Sequence, residues 1–355
     1  MSPVRPIQTL KTRFDAARAV HDAGDLRGAR ATLLTLANDR VVADDGSLPA
    51  GALDHALAAV QARLGHAGLA ADYARAANRQ RRRALLAGGA AFPNMRAALG
   101  PAALAPAAVA AWRRLPMALD EPVFLLGLAD PGRRRLIDHL AAHPGVRLIT
   151  EPALIGQVVT AAPGLGADSA ALARLEPTEA AALRADYLRR RADLAGGGDD
   201  TGAGVIDAGD HNMVHLAWIV RLFPLARLVI FTRHPADHCL APWLTRPAPA
   251  DDDPLLTRLG DIVGFYDHAM ALWAAADAAL PLNVHQFSLE EALADPPGAF
   301  ARLYQFLALP AAAGLSARLA ADFDDAPGRH RRFRALLAPH RGRLAPWVAA
   351  LGLAD

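Results

Sequence analysis

The polar and apolar positions of the chain fall into two regimes. Up to residue 100 they repeat with a helical period: Gly24-Asp25-Leu26 and Ala29 are echoed by Gly65-His66-Ala67, Ala70, Tyr73 and Ala77. This predicts two helix pairs whose small residues allow close packing and whose glycines end the first helix of each pair. From residue 121 to 310, apolar runs at Val123–Leu126, Val146–Ile149, Val205–Ile206, Leu228–Phe231 and Val284–Phe287 alternate with amphipathic stretches. Thr178–Arg191 and Leu256–Ala278 read as long helices, the second with Phe265, Tyr266, Met270 and Trp273 at core spacing. The alternation predicts an α/β domain with a mostly parallel sheet flanked by helices. The expected division is a helical region over 1–100, a connection over 101–120 and the α/β domain over 121–355, with Gly, Ala and Pro concentrated in Ala87–Pro106. Two helix pairs rarely fold alone, so they are expected to lean on the main domain or on a partner.

Ligands of such sheets sit beyond the carboxyl ends of the strands. Asp130, Glu151, Asp210, His211, Arg233 and His234 all come after strand ends and are expected to converge there. The stretch Pro122–Pro144, PVFLLGLADPGRRRLIDHLAAHP, reads as a strand, a glycine-bearing turn and a helix opening on Arg133, Arg134 and Arg135. Backbone N–H groups at a helix N-terminus, with Gly132 allowing a tight turn, suit a phosphate or sulfate. The same layout also joins strand to helix in proteins that bind nothing there.

The stretch resembles the phosphosulfate-binding segment of the sulfotransferases, especially the bacterial tetratricopeptide-repeat sulfotransferases and the tyrosylprotein sulfotransferases, whose usual form is close to PIFIVGMPRSGTTLLEQILASHP. Gly127, Gly132, Leu136, Leu140, His143 and Pro144 fall in the family's places. Where the family has Arg-Ser-Gly-Thr-Thr, this chain has Asp130-Pro131-Gly132-Arg133-Arg134. Farther on, Val205–Asn212 is similar to the family's VTDKMPLN, with Ala208 in the place of the lysine. Phe223-Pro224 and then Arg227–Pro235 are similar to FPDARIIHCRRDPRD, with Ala241 where a serine is usual. Val284–Pro296 resembles the VRYEDLVADP region, with Leu289 or Phe287 at the tyrosine.

The resemblance implies a P-loop-like sulfotransferase fold preceded by a small tetratricopeptide-like region. It implies an ancestral transfer of a sulfuryl group from 3′-phosphoadenosine 5′-phosphosulfate to a hydroxyl of a peptide or small molecule. It places Glu151 at a catalytic glutamate, Gly132, Arg133 and Arg134 in the donor loop, and Arg233 at the arginine of the 3′-phosphate. Each assignment has a structural alternative. Glu151 reads equally as a carboxylate capping the helix that begins at Pro152. Arg133 and Arg134 either reach back over the phosphates or lie on a solvated helix face, and Arg233 is alternatively paired with Asp237 or another acid. Asp130 sets an anion beside a polyanionic donor, a repulsion on the order of a few kcal/mol in a partly dry site. The replaced letters therefore keep open a catalytically degenerate binding or scaffolding subunit for a peptide or protein. The arginine-rich run from Arg329 to Arg343 lies where relatives close a basic segment over the nucleotide, and a charge run of this kind also reads as a solvated face.

Composition narrows the chemistry. The chain has 355 residues and a formal net charge of +2, which does not suggest a nucleic-acid partner. Lys11 is its only lysine, so the cations of the α/β region are arginines and histidines, and arginine binds anions without acting as a proton donor. The single cysteine, Cys239, forms no internal disulfide and fits a reducing compartment. With no secretion signal and no membrane-length apolar run a cytoplasmic protein is expected, as an oligomer or with a partner protein, and the family resemblance together with the alanine- and arginine-heavy composition implies a bacterial one. Acids and imidazoles have entered positions where the family keeps cations and hydroxyls. His211 with His215 and His234 with His238 each stand one helical turn apart, a spacing that two metal ligands share, which adds a repurposed metal-dependent enzyme as a further alternative. With 13 histidines in the chain such pairs arise by accident, and no metal ligand is assigned.

Overall fold

The computed structural model describes residues 10–42, 48–90, 99–117, 121–162, 165, 169–196, 204–245, 253–311 and 327–354. In chain order the elements are α1 (Leu10–Asp22), α2 (Leu26–Val42), α3 (Ala52–Arg63), α4 (Ala67–Ala87), α5 (Pro106–Ala110), β1 (Val123–Leu126), α6 (Pro131–Ala141), β2 (Val146–Ile149) and α7 (Leu154–Ala161). They continue with α8 (Ser169–Arg174), α9 (Pro177–Leu194), β3 (Gly204–Asp207), α10 (Leu216–Leu222), β4 (Arg227–Thr232), α11 (Pro235–Leu244), α12 (Leu259–Ala279), β5 (Asn283–Ser288), α13 (Leu289–Ala294) and α14 (Pro296–Leu307). The contacts divide the chain into one unit of Met1–Phe92, Cys239–Ile262 and Gly328–Arg341, and a second of Pro93–His238, Val263–Pro327 and Gly342–Asp355.

In the first unit α1 packs on α2 and α3 on α4, the two pairs read from the period. Gly24 and Gly65 take φ of +90° and +86°, which only glycine adopts without strain, and let the chain reverse after α1 and α3. At both turns the two N–H groups after the helix return to its last carbonyls: Gly24 to His21 and Asp25 to Val20, Gly65 to Ala62 and His66 to Gln61. Phe14, Leu33, Leu36, Leu53, Leu57 and Val60 form the core between these helices. Inside the same unit α4 is tied to the later chain by polar groups: buried Arg81 donates to the Asp253 carbonyl at 3.1 Å, and Asn78 Nδ2 donates to the Trp243 carbonyl at 2.8 Å.

The second unit is built on a parallel sheet of five strands in the order β2-β3-β1-β4-β5. The strands are legible as apolar runs because both faces are covered. All four residues of β1 are buried: Val123 and Leu125 join Leu136, Leu140, Phe231, Phe300 and Leu303 on one face, while Phe124 meets Tyr187 and Phe223 on the other. Burying one such side chain contributes roughly 1.5–3 kcal/mol. β1 and β2 have the bounds of the apolar runs, whereas β3, β4 and β5 each extend one polar or small residue further at both ends, held by pairing with their neighbours. The helix expected over Leu256–Ala278 is interrupted: Pro254–Thr257 is a 3-10 turn capped by Asp253, Arg258 is extended, and α12 starts at Leu259. Among the described residues no helix is long and apolar enough to cross a membrane.

The chain passes from β1 to β2 on one side of the sheet and later returns to place β4 on the other. The crevice at this switch point is therefore lined by the segments that leave the carboxyl ends of β1, β3 and β4. Those segments carry Asp130, Asp207–Asp210 and Arg233.

Candidate functional site

The turn after β1 places Asp130 at the N-cap of α6, with Pro131 at the first helical position, where its missing N–H is no loss. Asp130 Oδ1 accepts from the backbone N–H of Gly132 at 2.7 Å and of Arg133 at 3.3 Å. Its other oxygen, Oδ2, accepts from Arg233 Nη1 at 3.1 Å, and both side chains are 0% exposed. Arg233 comes directly from the end of β4, and the strand's burial fixes where the guanidinium points. The carboxylate thus holds the position at a helix N-terminus that suits a bound anion. Space around the turn is filled as well. A Cβ on Gly132 would come within 2.9 Å of Asp130 Oδ1 and 3.0 Å of both Leu289 Cδ2 and Phe231 Cζ.

Arg133 lies on the inner face of α6 with Leu136, Ile137 and Leu140 and is buried. Its Nη1 pairs with Asp210 Oδ1 at 2.7 Å, and its Nη2 donates to the carbonyls of Ala208 at 2.8 Å and of Leu125 and Gly209 at 3.3 Å. The guanidinium therefore lies across the carboxyl ends of β1 and β3, satisfying carbonyls that the sheet leaves open. Asp130, Arg133, Asp210 and Arg233 together sum to no net charge. Arg134, one position on, is turned to the exposed side and pairs with Asp138 at 3.1 Å across one helical turn.

Glu151 comes after β2 but stays exposed, its Oε1 accepting from Gln157 Nε2 at 3.1 Å. It does not cap the next helix: α7 begins at Leu154 after Ala153, a left-handed residue with φ 49° and no side-chain cap. The chain after β2 crosses close to that after β3, and a Cβ on Gly209 would overlap the Glu151 carbonyl. Asp207, at the end of β3, is wholly buried and accepts from Tyr187 Oη at 3.0 Å, Asn212 Nδ2 at 2.8 Å and Gly209 N at 3.0 Å. Burial pushes its carboxyl above the usual range, against the pull of these donors. Ala208, in the place of the family's lysine, is buried beside it.

The histidines are held by packing. His238 sits edge-on to Phe231 and Tyr266 with Nε2 3.3 Å from the Leu128 carbonyl, and burial together with the charge of Arg233 lowers its pKa to about 3. His215 lies against Gly156, and burial with His211 nearby lowers its pKa to about 4. His234 Nδ1 accepts from the Ala236 N–H, and the His234 N–H donates to Glu290 Oε1 at 2.8 Å. Among the described residues no third metal-ligating side chain is gathered with His211 and His215, whereas buried His234 and Asp237 offer ligand atoms within 4.8 Å of each other.

Of the residues marked in the sequence, Gly132, Arg133 and Arg233 meet at the crevice, Arg134 points away and Glu151 stands exposed beyond β2. The partners Asp130 and Asp210 complete the arrangement. The inner position of Arg133 is readable from its spacing, three and seven residues before the buried Leu136 and Leu140. The Asp130–Arg233 pairing joins residues 103 apart and has no local signal.

Residues 122–313 match the model of the sulfotransferase family, and the chain belongs to that family. The family generally uses 3′-phosphoadenosine 5′-phosphosulfate as sulfuryl donor and acts on small-molecule or peptide acceptors. Solved structures similar to the chain include the sulfotransferase from Alicyclobacillus acidocaldarius, at 16% identity over 67% of this chain and 98% of that one, with a TM-score of 0.39. Others are a sulfotransferase from Mycobacterium avium, at 14% identity over 95% of this chain and 98% of that one, with a TM-score of 0.35, and one from Mycobacterium tuberculosis H37Rv, at 14% identity over 94% of this chain and 100% of that one, with a TM-score of 0.34. No curated protein matches the chain.

Proposed function

We propose that this chain is a noncatalytic member of the sulfotransferase family, a binding or scaffolding subunit for a peptide or protein whose donor site is occupied by its own side chains. The observation that carries this reading is the Asp130 carboxylate, which takes the N–H groups of Gly132 and Arg133 and the guanidinium of Arg233. A donor phosphate needs these same groups. To enter, it must break a fully buried ion pair and leave Asp130 as an uncompensated anion beside it, and breaking such a pair costs about 3–5 kcal/mol. Arg133 supplies no spare charge, because Asp210 and three carbonyls use it.

Calorimetric titration with 3′-phosphoadenosine 5′-phosphate tests the reading without an acceptor. No saturable binding is expected. Micromolar binding that Arg233→Ala abolishes would sink it. Asp130→Arg restores the family's cation, and gain of nucleotide binding in that variant identifies the acid as the block.

Family membership and the meeting of Gly132, Arg133 and Arg233 favour a second reading, an active sulfotransferase in which the donor displaces Asp130. There Arg233 would take the 3′-phosphate, and Arg133, with Arg134 released from Asp138, the leaving phosphate. Glu151 would accept the proton of the acceptor hydroxyl as its oxygen attacks sulfur and the sulfur–oxygen bond to phosphate breaks. This reading requires transfer of labelled sulfate from 3′-phosphoadenosine 5′-phosphosulfate that is lost in Glu151→Gln.

A further inference from the structure

Among the described residues, five solvent-facing arginines of the first unit pair with no acid. α4 presents Arg79, Arg83 and Leu86 at i, i+4 and i+7, a single stripe along the helix, and all three are exposed, Leu86 at 44%. Their neighbours Arg81 and Arg82 are used structurally, on the Asp253 carbonyl and the Asp261 carboxylate. α4 packs against the turn Arg329–Phe333 of the same unit, where Arg331 and Arg332 are exposed, as is Arg334 just after it. Among the described residues, Arg79, Arg83, Arg331, Arg332 and Arg334 meet no carboxylate. α4 itself holds one acid, Asp72, which pairs with Arg75, and residues 327–354 hold none; of the described acids beside α4, Asp253 caps the Pro254–Thr257 turn and Asp261 pairs with Arg82.

We propose that this face is a docking surface for an anionic lipid bilayer, bound peripherally. Guanidinium groups match the phosphates of lipid headgroups, and clustered basic residues gain attraction from a negative leaflet roughly in proportion to their number. Leu86, in line with Arg79 and Arg83, adds an apolar contact that the headgroup–acyl boundary accepts. With a net charge of only +2 on the whole chain, the attraction is local to this patch. The exposed residues of the stripe and the turn include no aromatic ring on which a nucleic-acid base would stack. A peptide of acidic residues alone would leave Leu86 without an apolar contact.

The test is co-sedimentation of the full chain with vesicles of equal parts phosphatidylglycerol and phosphatidylcholine at low salt. Binding is expected to these vesicles and not to pure phosphatidylcholine, weakening at least about tenfold as salt rises from about 0.05 M to about 0.3 M. Arg79→Glu with Arg83→Glu, and Arg331→Glu with Arg332→Glu, each weaken it by about tenfold or more, and Leu86→Ser by about threefold. Where charge reversal disturbs the circular dichroism spectrum, the milder Gln pairs replace it and give the same order. The proposal is overturned by no binding at low salt, by binding that both pairs leave unchanged, or by tighter binding of a deca-glutamate peptide or an oligothymidylate. None of these residues takes part in the ion pairs around Asp130, so the nucleotide titration and the vesicle assay fail separately.

Discussion

Asp130 and Arg233, 103 residues apart in sequence, face each other at 3.1 Å with both side chains 0% exposed. The pair links the helix after β1 to the end of β4, and the same carboxylate caps α6. Removing one partner leaves the other charge buried without compensation. Asp130→Ala is therefore expected to destabilise the protein by about 3–5 kcal/mol, well above the ~1 kcal/mol of a lost cap alone. Adding Arg233→Met restores part of the loss, because the stranded cation is gone. Urea unfolding of the four proteins in the cycle measures this, and additive losses would show that the pair is not coupled.

Arg133 and Arg134 give a contrast between neighbours. Arg134→Ala removes an exposed pair with Asp138 and is expected to change stability by no more than about 0.5 kcal/mol. Arg133→Ala strips Asp210 and the Ala208 and Gly209 carbonyls of their donor, with an expected loss of about 3 kcal/mol or more. Thermal unfolding of the two variants tests the ranking, and equal midpoints would refute it.

This contrast marks what the sequence could tell. The strands were readable because a strand buried on both faces needs an unbroken apolar run, as Val123–Leu126 and Val146–Ile149 supply. Strand ends such as Asp207, Thr232 and Ser288 are polar and gain their place from register with a neighbour, which no local pattern records. The helix turns at Gly24 and Gly65 were readable because only glycine takes that backbone conformation easily. At the crevice, the substituted loop letters were plain, and their damage to an anion site could be reasoned from charge alone. Which acid would meet Arg233 was not legible, because that contact depends on how β1 and β4 align across the sheet.

Gly156, inside α7, lies against the ring of His215, and a Cβ there would come within 2.6 Å of His215 Cε1. Replacing a helical glycine by alanine ordinarily stabilises by roughly 0.5–1 kcal/mol. Here the half-buried ring lies directly over the glycine, so overlap decides the sign, and Gly156→Ala is expected to destabilise by about 1–3 kcal/mol. His215→Ala in the same chain opens the space. The double variant is then more stable than the sum of the single losses, a non-additivity that chemical denaturation resolves.

Acidification is expected to weaken the fold through His238 and His215. Both stay neutral in the folded protein until pH reaches about 3 and about 4, whereas in the unfolded chain they protonate near 6.5. Between those limits the unfolded state binds the extra protons, so stability rises with pH by about 1.4 kcal/mol per pH unit for each histidine. Asp207 acts with opposite sign, because its raised pKa lets the folded state keep a proton above 3.8 that the unfolded carboxylate has released. These two histidines, joined by His268 and His285, whose pKa burial also lowers, oppose one acid, so urea midpoints are expected to fall from pH 7 to pH 4.5. His238→Phe, which keeps a ring between Phe231 and Tyr266, should remove about 1.4 kcal/mol per pH unit from the slope, while Asp207→Asn removes the opposing contribution and steepens it. A midpoint that does not move with pH, in the protein or in either variant, would show that these groups titrate alike in both states.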